Sequence, residues 1–380
     1  MPLAPSESPL SILIRDTIAR RGPIPFRDFM AEALYHPEFG YYGSGKAAIG
    51  RGGDFFTNVS VGPLFGALLA RQFAQMWERL GAPAQFDLVE QGAHRGAFAN
   101  DVLAALQSTD PDCFESLRYT IVEPGKVQRE AQAAALAHWS KIRWVDDMKA
   151  LPAFEGVHFS NELLDAFPVH VVRWTGDQWE ELHVTFDEGR FKFVPAALSS
   201  QLLRDQLSQL PFPFPAGYTT EINLMALEWV DQLARKLERG YLLAIDYGFP
   251  RAEYYRPERP QGTLTGYASH QRVDDLLENP GQIDLTAHVD FTSIIERAKA
   301  AKLHLHGFTD QHHFMVGLGQ LHFDDTLVMT PSRQREMRAF KTLMHPALMG
   351  ASFRVLCLEK AVLSAPPLSG FQFEGSSPAG

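Results

Sequence analysis

Glu90, Gly92, His94 and Gly96 stand at alternate positions in the stretch Phe86-Asp87-Leu88-Val89-Glu90-Gln91-Gly92-Ala93-His94-Arg95-Gly96. A carboxylate followed by closely spaced glycines suits a polar, nucleotide-sized ligand, because the acid accepts hydrogen bonds and glycine lets backbone amides approach. Apolar Phe86, Leu88 and Val89, then the glycines, then Ala97-Phe98-Ala99-Asn100-Asp101-Val102-Leu103 predict a strand, a tight turn and a helix. In an open parallel sheet such a turn lies at the carboxyl edge, where ligands bind. Turns of this kind also occur with no ligand, so spacing has to discriminate.

A dinucleotide fingerprint requires G-x-G-x-x-G, whereas Glu90-x-Gly92-x-His94-x-Gly96 keeps the acidic-G-x-G-x-G frame of class I S-adenosylmethionine methyltransferases, with His94 replacing the middle glycine. Glu90, Gly92, Ala93, His94 and Gly96 are therefore expected to bind S-adenosyl-L-methionine. Arg118 to Glu123 reads as a second strand, and Glu123 is expected to receive the two ribose hydroxyls, a task for a group that accepts two hydrogen bonds. Ile142 to Val145 is a third strand. After it, Asp146 or Asp147 is placed to accept from the adenine amine and Met148 to lie on the ring. The fourth strand, Gly156 to Asn161, runs on into Glu162-Leu163-Leu164-Asp165-Ala166-Phe167-Pro168. Beyond the topological switch this end faces the reactive part of a ligand, which makes Asn161 a cofactor contact and Glu162 and Asp165 catalytic candidates. The same residues also read as a helix N-cap with acidic first-turn residues.

The remaining elements must position these groups. Helices are expected at Leu10 to Arg20, Pro25 to Leu34 and Pro63 to Leu80, with a glycine-dense loop carrying Asp54 and Thr57 suited to fold over a pocket. Val169 to Trp174, Trp179 to Phe186 and Arg190 to Val194 alternate with period two, as an inserted antiparallel meander would. Gly240 to Gly248 is the fifth core strand, Leu303 to Phe308 the sixth and Phe353 to Leu363 the last. Phe249 to Asp284 lacks a period and is expected to be a long functional loop, followed by His288. The pattern predicts an α/β fold with a doubly wound, mostly parallel seven-stranded sheet. Its expected division is an N-terminal helical region with the covering loop at 1–80, a core at 81–363 with insertions at about 169–220 and 249–288, and a flexible tail at 364–380.

The net charge of −10 over 380 residues argues against nonspecific binding to nucleic acid or anionic membrane, and favours a basic protein as partner. No apolar run approaches the ~18 residues of a membrane span. Two cysteines, and an N-terminus without the marks of a signal or transit peptide, lead to an expected cytoplasmic location. Among fourteen histidines, His304-x-His306 with His312-His313 invites a zinc reading, but no carboxylate or cysteine cluster completes it, and no metal is expected.

The chain resembles the MidA family. The resemblance rests on Gly53-Asp54-Phe55-Phe56-Thr57 with Pro63-Leu64-Phe65-Gly66, Val89-Glu90-x-Gly92 with Arg95-Gly96, Asn161 to Pro168, Ile245-Asp246-Tyr247-Gly248, Gly262-Thr263-Leu264, Pro280-Gly281 and Asp284 to Phe291. It implies an S-adenosylmethionine-dependent methyltransferase; the family includes the mitochondrial complex I assembly enzyme that dimethylates an arginine of a complex I subunit. Under that resemblance Glu162 and Asp165 would clamp the acceptor guanidinium, and His288 would either accept the released proton or pin the long loop. The family usually has glycine at His94 and a Pro-Glu pair at Val59-Ser60. His94 is expected to point away from the pocket. A small-molecule methyltransferase and a catalytically weak assembly protein are the competing readings.

Overall fold

The computed structural model describes residues 8–45, 58–211, 213–268, 271–323, 330–345, 350, 353–363 and 366–373, so Asp54 and Thr57 lie outside the described residues. The chain forms two compact units, one from Met1–Phe55, Leu164–Glu228 and Arg251–Asp290, the other from Phe56–Leu163, Trp229–Pro250 and Phe291–Gly380.

The second unit is built on a mixed sheet. The strands of that eight-stranded sheet that lie in this unit are β1 (Phe86–Gln91), β2 (Leu117–Val122), β3 (Ile142–Val145), β4 (Phe154–Asn161), β5 (Leu237–Phe249), β6 (His304–Asp310) and β7 (Phe353–Lys360). They lie in the order β6-β7-β5-β4-β1-β2-β3. β1 pairs in parallel with β2 and β4, as do β2 with β3 and β4 with β5, while β7 runs antiparallel to β5 and β6. The chain moves outward from β1 through β2 to β3 and then returns to the other side of β1 as β4. The switch point therefore falls between the carboxyl ends of β1 and β4, where Gln91 is opposite Ser160.

Buried apolar side chains hold this sheet. Phe98 stacks on Phe159 with ring centroids 4.5 Å apart, and Phe73 meets Phe159 edge-on at 5.7 Å. Each such ring contributes about 1.5–3 kcal/mol through burial. The helices Leu64–Arg79 and Ala97–Thr109 bring these rings to the sheet. They cross closely because a Cβ at Gly66 would lie 2.5 Å from the Cβ of Asp101, so only glycine fits.

The other unit has a five-stranded antiparallel sheet of Ile24–Pro25, His170–Trp174, Trp179–Asp187, Arg190–Ala196 and Thr219–Ile222. The helices Pro9–Arg21 and Phe26–Tyr35 share its core through Leu10, Ile14, Phe26, Phe29 and Met30. The N-terminal 80 residues are thus not one region: these two helices belong here, and Leu64–Arg79 belongs to the mixed-sheet unit. The stretch expected as an irregular loop contains a helix, Arg251–Tyr254, and three short antiparallel strands, Thr265–Ala268, Gln271–Val273 and Asp284–Thr286. Unlike Ile142–Val145, these short strands hold few large apolar residues and so are not legible in the sequence. Residues 366–373 are not a loose tail: Leu368 and Ser369 are buried, and the amides of Ser369 and Gly370 donate to Gln75 and Gln72. No helix among the described residues is long and apolar enough to cross a membrane.

Candidate active site

The turn after β1 explains the glycine frame. Gly92, His94 and Gly96 have φ of +83°, +46° and +82°, so all three alternate positions sit in the left-handed region. Glycine adopts it freely, whereas a side chain there costs roughly 1–2 kcal/mol. His94 bears that strain. At Gly96 a Cβ would also come within 2.7 Å of Leu136 Cδ1, so conformation and space both demand glycine; at Gly92 the nearest atom would be an ordinary 3.5 Å away. Ala93 is buried, His94 half-buried and Gly92 exposed.

The carboxylates beside the turn are sequestered. Glu90 is buried and accepts from the Tyr119 hydroxyl at 2.7 Å. Burial pushes its pKa up to about 7 against the opposing Tyr119 bond, and the nearby charge of Glu123 adds to the rise. Glu123, just past β2, accepts from the Gly125 amide at 2.8 Å and from Gln132 Nε2 at 2.9 Å. Burial raises its pKa, partly offset by Gly125, Gln132 and Arg129. The same Gln132 nitrogen donates to the His94 carbonyl at 2.8 Å, and Gln132 Oε1 accepts from Trp144 Nε1 at 3.0 Å. Gln132 therefore ties the β1 turn to the end of β2. After β3, Asp146 is paired with Arg129, Asp147 Oδ1 accepts from the Ala150 amide at 2.8 Å, and Met148 is buried. Arg129 also donates to the Glu123 carbonyl at 2.7 Å, binding the second and third strand ends together.

At the end of β4, Glu162 has φ +53° and, like His94 and five other non-glycine residues among those described, lies in the left-handed region. Strain of this kind is characteristic of functional sites. Its amide donates to the Ile245 carbonyl at 2.9 Å, and its Oε1 accepts from Asn161 Nδ2 at 2.8 Å and from the Asn58 amide at 3.4 Å. Asp246 on β5 accepts from the amides of Leu163 at 3.0 Å and Tyr247 at 2.8 Å, which fixes the exit from β4. Glu90, Gly92, Ala93, His94, Gly96, Glu123, Asn161 and Glu162 are thus gathered at neighbouring strand ends, with Asp146 to Met148 following β3.

Asp165 and His288 belong to the other unit. There the Ala287 amide donates to the Asp165 carbonyl at 2.9 Å, and the His288 amide donates to Thr263 Oγ1 at 3.0 Å. Burial, helped by the charge of Arg259, lowers the His288 pKa to about 4, so its imidazole is neutral at physiological pH. His306 has a different engagement from the zinc reading: its Nδ1 lies 2.6 Å from Glu359 and its Nε2 accepts from the Leu368 amide at 3.2 Å.

Sequence reasoning missed Gln132, Arg129, Asn58 and Gln311. A signal existed for Gln311, which shares an i, i+3, i+4, i+7 stripe with buried Phe314, Met315 and Leu318. A polar residue on such a stripe needs buried partners.

These features fit S-adenosylmethionine. Positive-φ glycines keep side chains off two positions of the turn, and a carboxylate, Glu123, stands at the next strand end. Comparison with known proteins agrees. A family profile described as "putative S-adenosyl-L-methionine-dependent methyltransferase" matches residues 68–309. The protein arginine methyltransferase NDUFAF7 homolog, mitochondrial, of Drosophila melanogaster is 29% identical, over 94% of this chain and 87% of its own. The human mitochondrial protein arginine methyltransferase NDUFAF7 is 28% identical, over 93% and 85%. A crystal structure of a COG1565 superfamily protein from Burkholderia thailandensis, bound to S-adenosyl-homocysteine, superposes with TM-score 0.84 at 33% identity, covering 96% of this chain and 94% of that one. The cytoplasmic expectation is overturned by the NDUFAF7 relatives, which are named as mitochondrial proteins. Two cysteines indicate a reducing compartment, and that argument does not separate cytosol from mitochondrial interior. The chain belongs to this family of α/β methyltransferases, with S-adenosyl-L-methionine as cofactor.

Proposed function

We propose that the protein methylates an arginine of a basic protein, a respiratory-complex subunit being the class suggested by the family resemblance. The relatives named protein arginine methyltransferase support this. The observation that carries it is Glu162, a carboxylate held at the switch point with one oxygen accepting from Asn161 and Asn58. A guanidinium is always charged and matches a carboxylate through paired N–H donors.

S-adenosylmethionine supplies a methyl group on a sulfonium, so the protein chiefly aligns groups and excludes water. Glu123 receives the ribose hydroxyls with lone pairs left over from Gly125 and Gln132. The turn residues Gly92, Ala93, His94 and Gly96, with Glu90 beneath, support the methionine portion. Asp147 and Met148 serve the adenine, with Asp146 as its neighbour, and Asn161, Asp54 and Thr57 complete the cofactor set. Glu162 orients the acceptor. Asp165 and His288 are proposed singly, Asp165 as a second carboxylate for the acceptor and His288 as proton acceptor or loop anchor. The proposal includes the finer fold reading: a mostly parallel seven-stranded methyltransferase sheet with an inserted antiparallel meander and the insertions near 169–220 and 249–288.

Incubation with labelled S-adenosylmethionine and basic mitochondrial proteins, read by mass spectrometry, tests the reading. Mono- or dimethylarginine on a protein is expected. Label found only on small molecules would instead make this a metabolite methyltransferase.

A further inference from the structure

Asn58 and Gln311 are completely buried, and together with Asn161 they form an amide chain that runs in one direction. Gln311 Nε2 donates to Asn58 Oδ1 at 2.8 Å, Asn58 Nδ2 to Asn161 Oδ1 at 2.9 Å, and Asn161 Nδ2 to Glu162 Oε1 at 2.8 Å. A primary amide donates only through nitrogen and accepts only through oxygen, so the orientation of each member dictates the next. The far end is fixed as well. Gln311 Nε2 also donates to the Leu343 carbonyl at 3.0 Å, so turning that amide over would set oxygen against oxygen at both contacts. A chain anchored this way can end only on an acceptor.

We propose that Asn58 and Gln311 are positioning residues for methyl transfer, holding Glu162 as an oriented acceptor that selects a cationic, N–H-bearing methyl acceptor. The assignment rests on the role of Glu162 proposed above. Neither residue needs to meet cofactor or acceptor. Their effect passes through Asn161 to one carboxylate oxygen, while the Asn58 amide, 3.4 Å from the same oxygen, restrains it from a second direction. The donors of the three amides that form the chain are all engaged, and this restrains the carboxylate at its end, although Gln311 Oε1 has no hydrogen-bond partner among the described residues.

Asn58→Asp keeps the size and removes the donor; Gln311→Met keeps the length and removes both outer bonds. In folded protein, each should lower kcat for protein methylation about tenfold or more, and change the affinity for S-adenosyl-homocysteine, through Asn161, by a clearly smaller factor. Glu162→Gln should lower kcat too, and Asn58→Asp combined with Glu162→Gln should be no slower than Glu162→Gln alone, the mark of one pathway. Wild-type kcat in either folded single variant, or losses that multiply in the double variant, overturns the proposal. If Asn58→Asp does not fold, Gln311→Met with the corresponding cycle decides. A second readout does not depend on turnover. The Asn161 side-chain amide protons, assigned with Asn161→Ala, should exchange slowly in wild type and much faster in Gln311→Met; unchanged exchange refutes the chain. Slow exchange with no protein methylation would instead overturn the arginine reading while leaving the chain in place.

Discussion

His94 sits at φ +46° between two glycines of similar backbone angle, so the strain at this position belongs to the backbone and not to the imidazole. His94→Gly should relieve it. Part of the gain is lost because glycine has more freedom in the unfolded chain, leaving a net stabilisation of up to about 1 kcal/mol. Affinity for S-adenosyl-homocysteine should change by less than about tenfold, or ~1.4 kcal/mol, in calorimetric titration. Restoration of binding from an undetectable level would show that the imidazole had been filling the pocket. Glu123 poses the converse test. Glu123→Ala removes a buried acceptor held by Gly125 and Gln132, and should weaken S-adenosyl-homocysteine by about 1–3 kcal/mol in a folded protein. Affinity equal to wild type would remove Glu123 from the cofactor site.

At the scale of elements, the stretch after Phe249 is organised by a residue far from it in sequence. Glu221 is buried and accepts from the Tyr254 hydroxyl at 3.0 Å, the Thr263 amide at 3.0 Å, the Thr263 hydroxyl at 3.2 Å and the Leu264 amide at 3.1 Å. A Cβ at Gly262 would lie 2.1 Å from Glu221 Oε1, so the chain must pass this carboxylate as glycine. Glu221→Ala leaves several buried donors without an acceptor. The Thr263 and Leu264 amides should then lose protection equivalent to about 3 kcal/mol, read by hydrogen exchange. Exchange unchanged from wild type would mean that the segment is held by its strands and not by Glu221. This case also marks the limit of reading the sequence. Strand ends such as Glu90, Glu123 and Asn161 were legible because strands of 6, 6 and 8 residues, rich in large apolar side chains, point to them. Glu221, Gln132 and Asn58 were not, because a lone polar residue shows its value only through partners brought by the fold. Gly262-Thr263-Leu264 stood out through resemblance, and the carboxylate that requires it did not.

For the molecule as a whole, two buried groups on the mixed sheet tilt the pH dependence of stability in opposite directions. His158 on β4 is completely buried, with neither ring nitrogen bonded among the described residues and its ring edge-on to Trp229 at 5.5 Å. Burial depresses its pKa from 6.5 to about 3. The unfolded chain therefore binds a proton that the folded one refuses, and stability is lost as pH falls from about 6.5 toward 3, by roughly 5 kcal/mol at most. Glu90 has the opposite sign. Its pKa is raised from 4.5 to about 7, so the folded chain holds the extra proton and stability is lost as pH rises from about 4.5 to 7, by roughly 3 kcal/mol. Between about pH 4.5 and 6.5 the two slopes, each near 1.4 kcal/mol per unit, cancel. Denaturant titrations of cofactor-free wild type, Glu90→Gln and His158→Phe across this range should separate them. The stability of wild type minus that of Glu90→Gln should fall with rising pH, and that of wild type minus His158→Phe should rise, while groups common to all three drop out of the differences. A flat difference for Glu90→Gln would mean that Glu90 is ionised in the fold at neutral pH, and that the β1 turn stands over a buried charge instead of a shared proton.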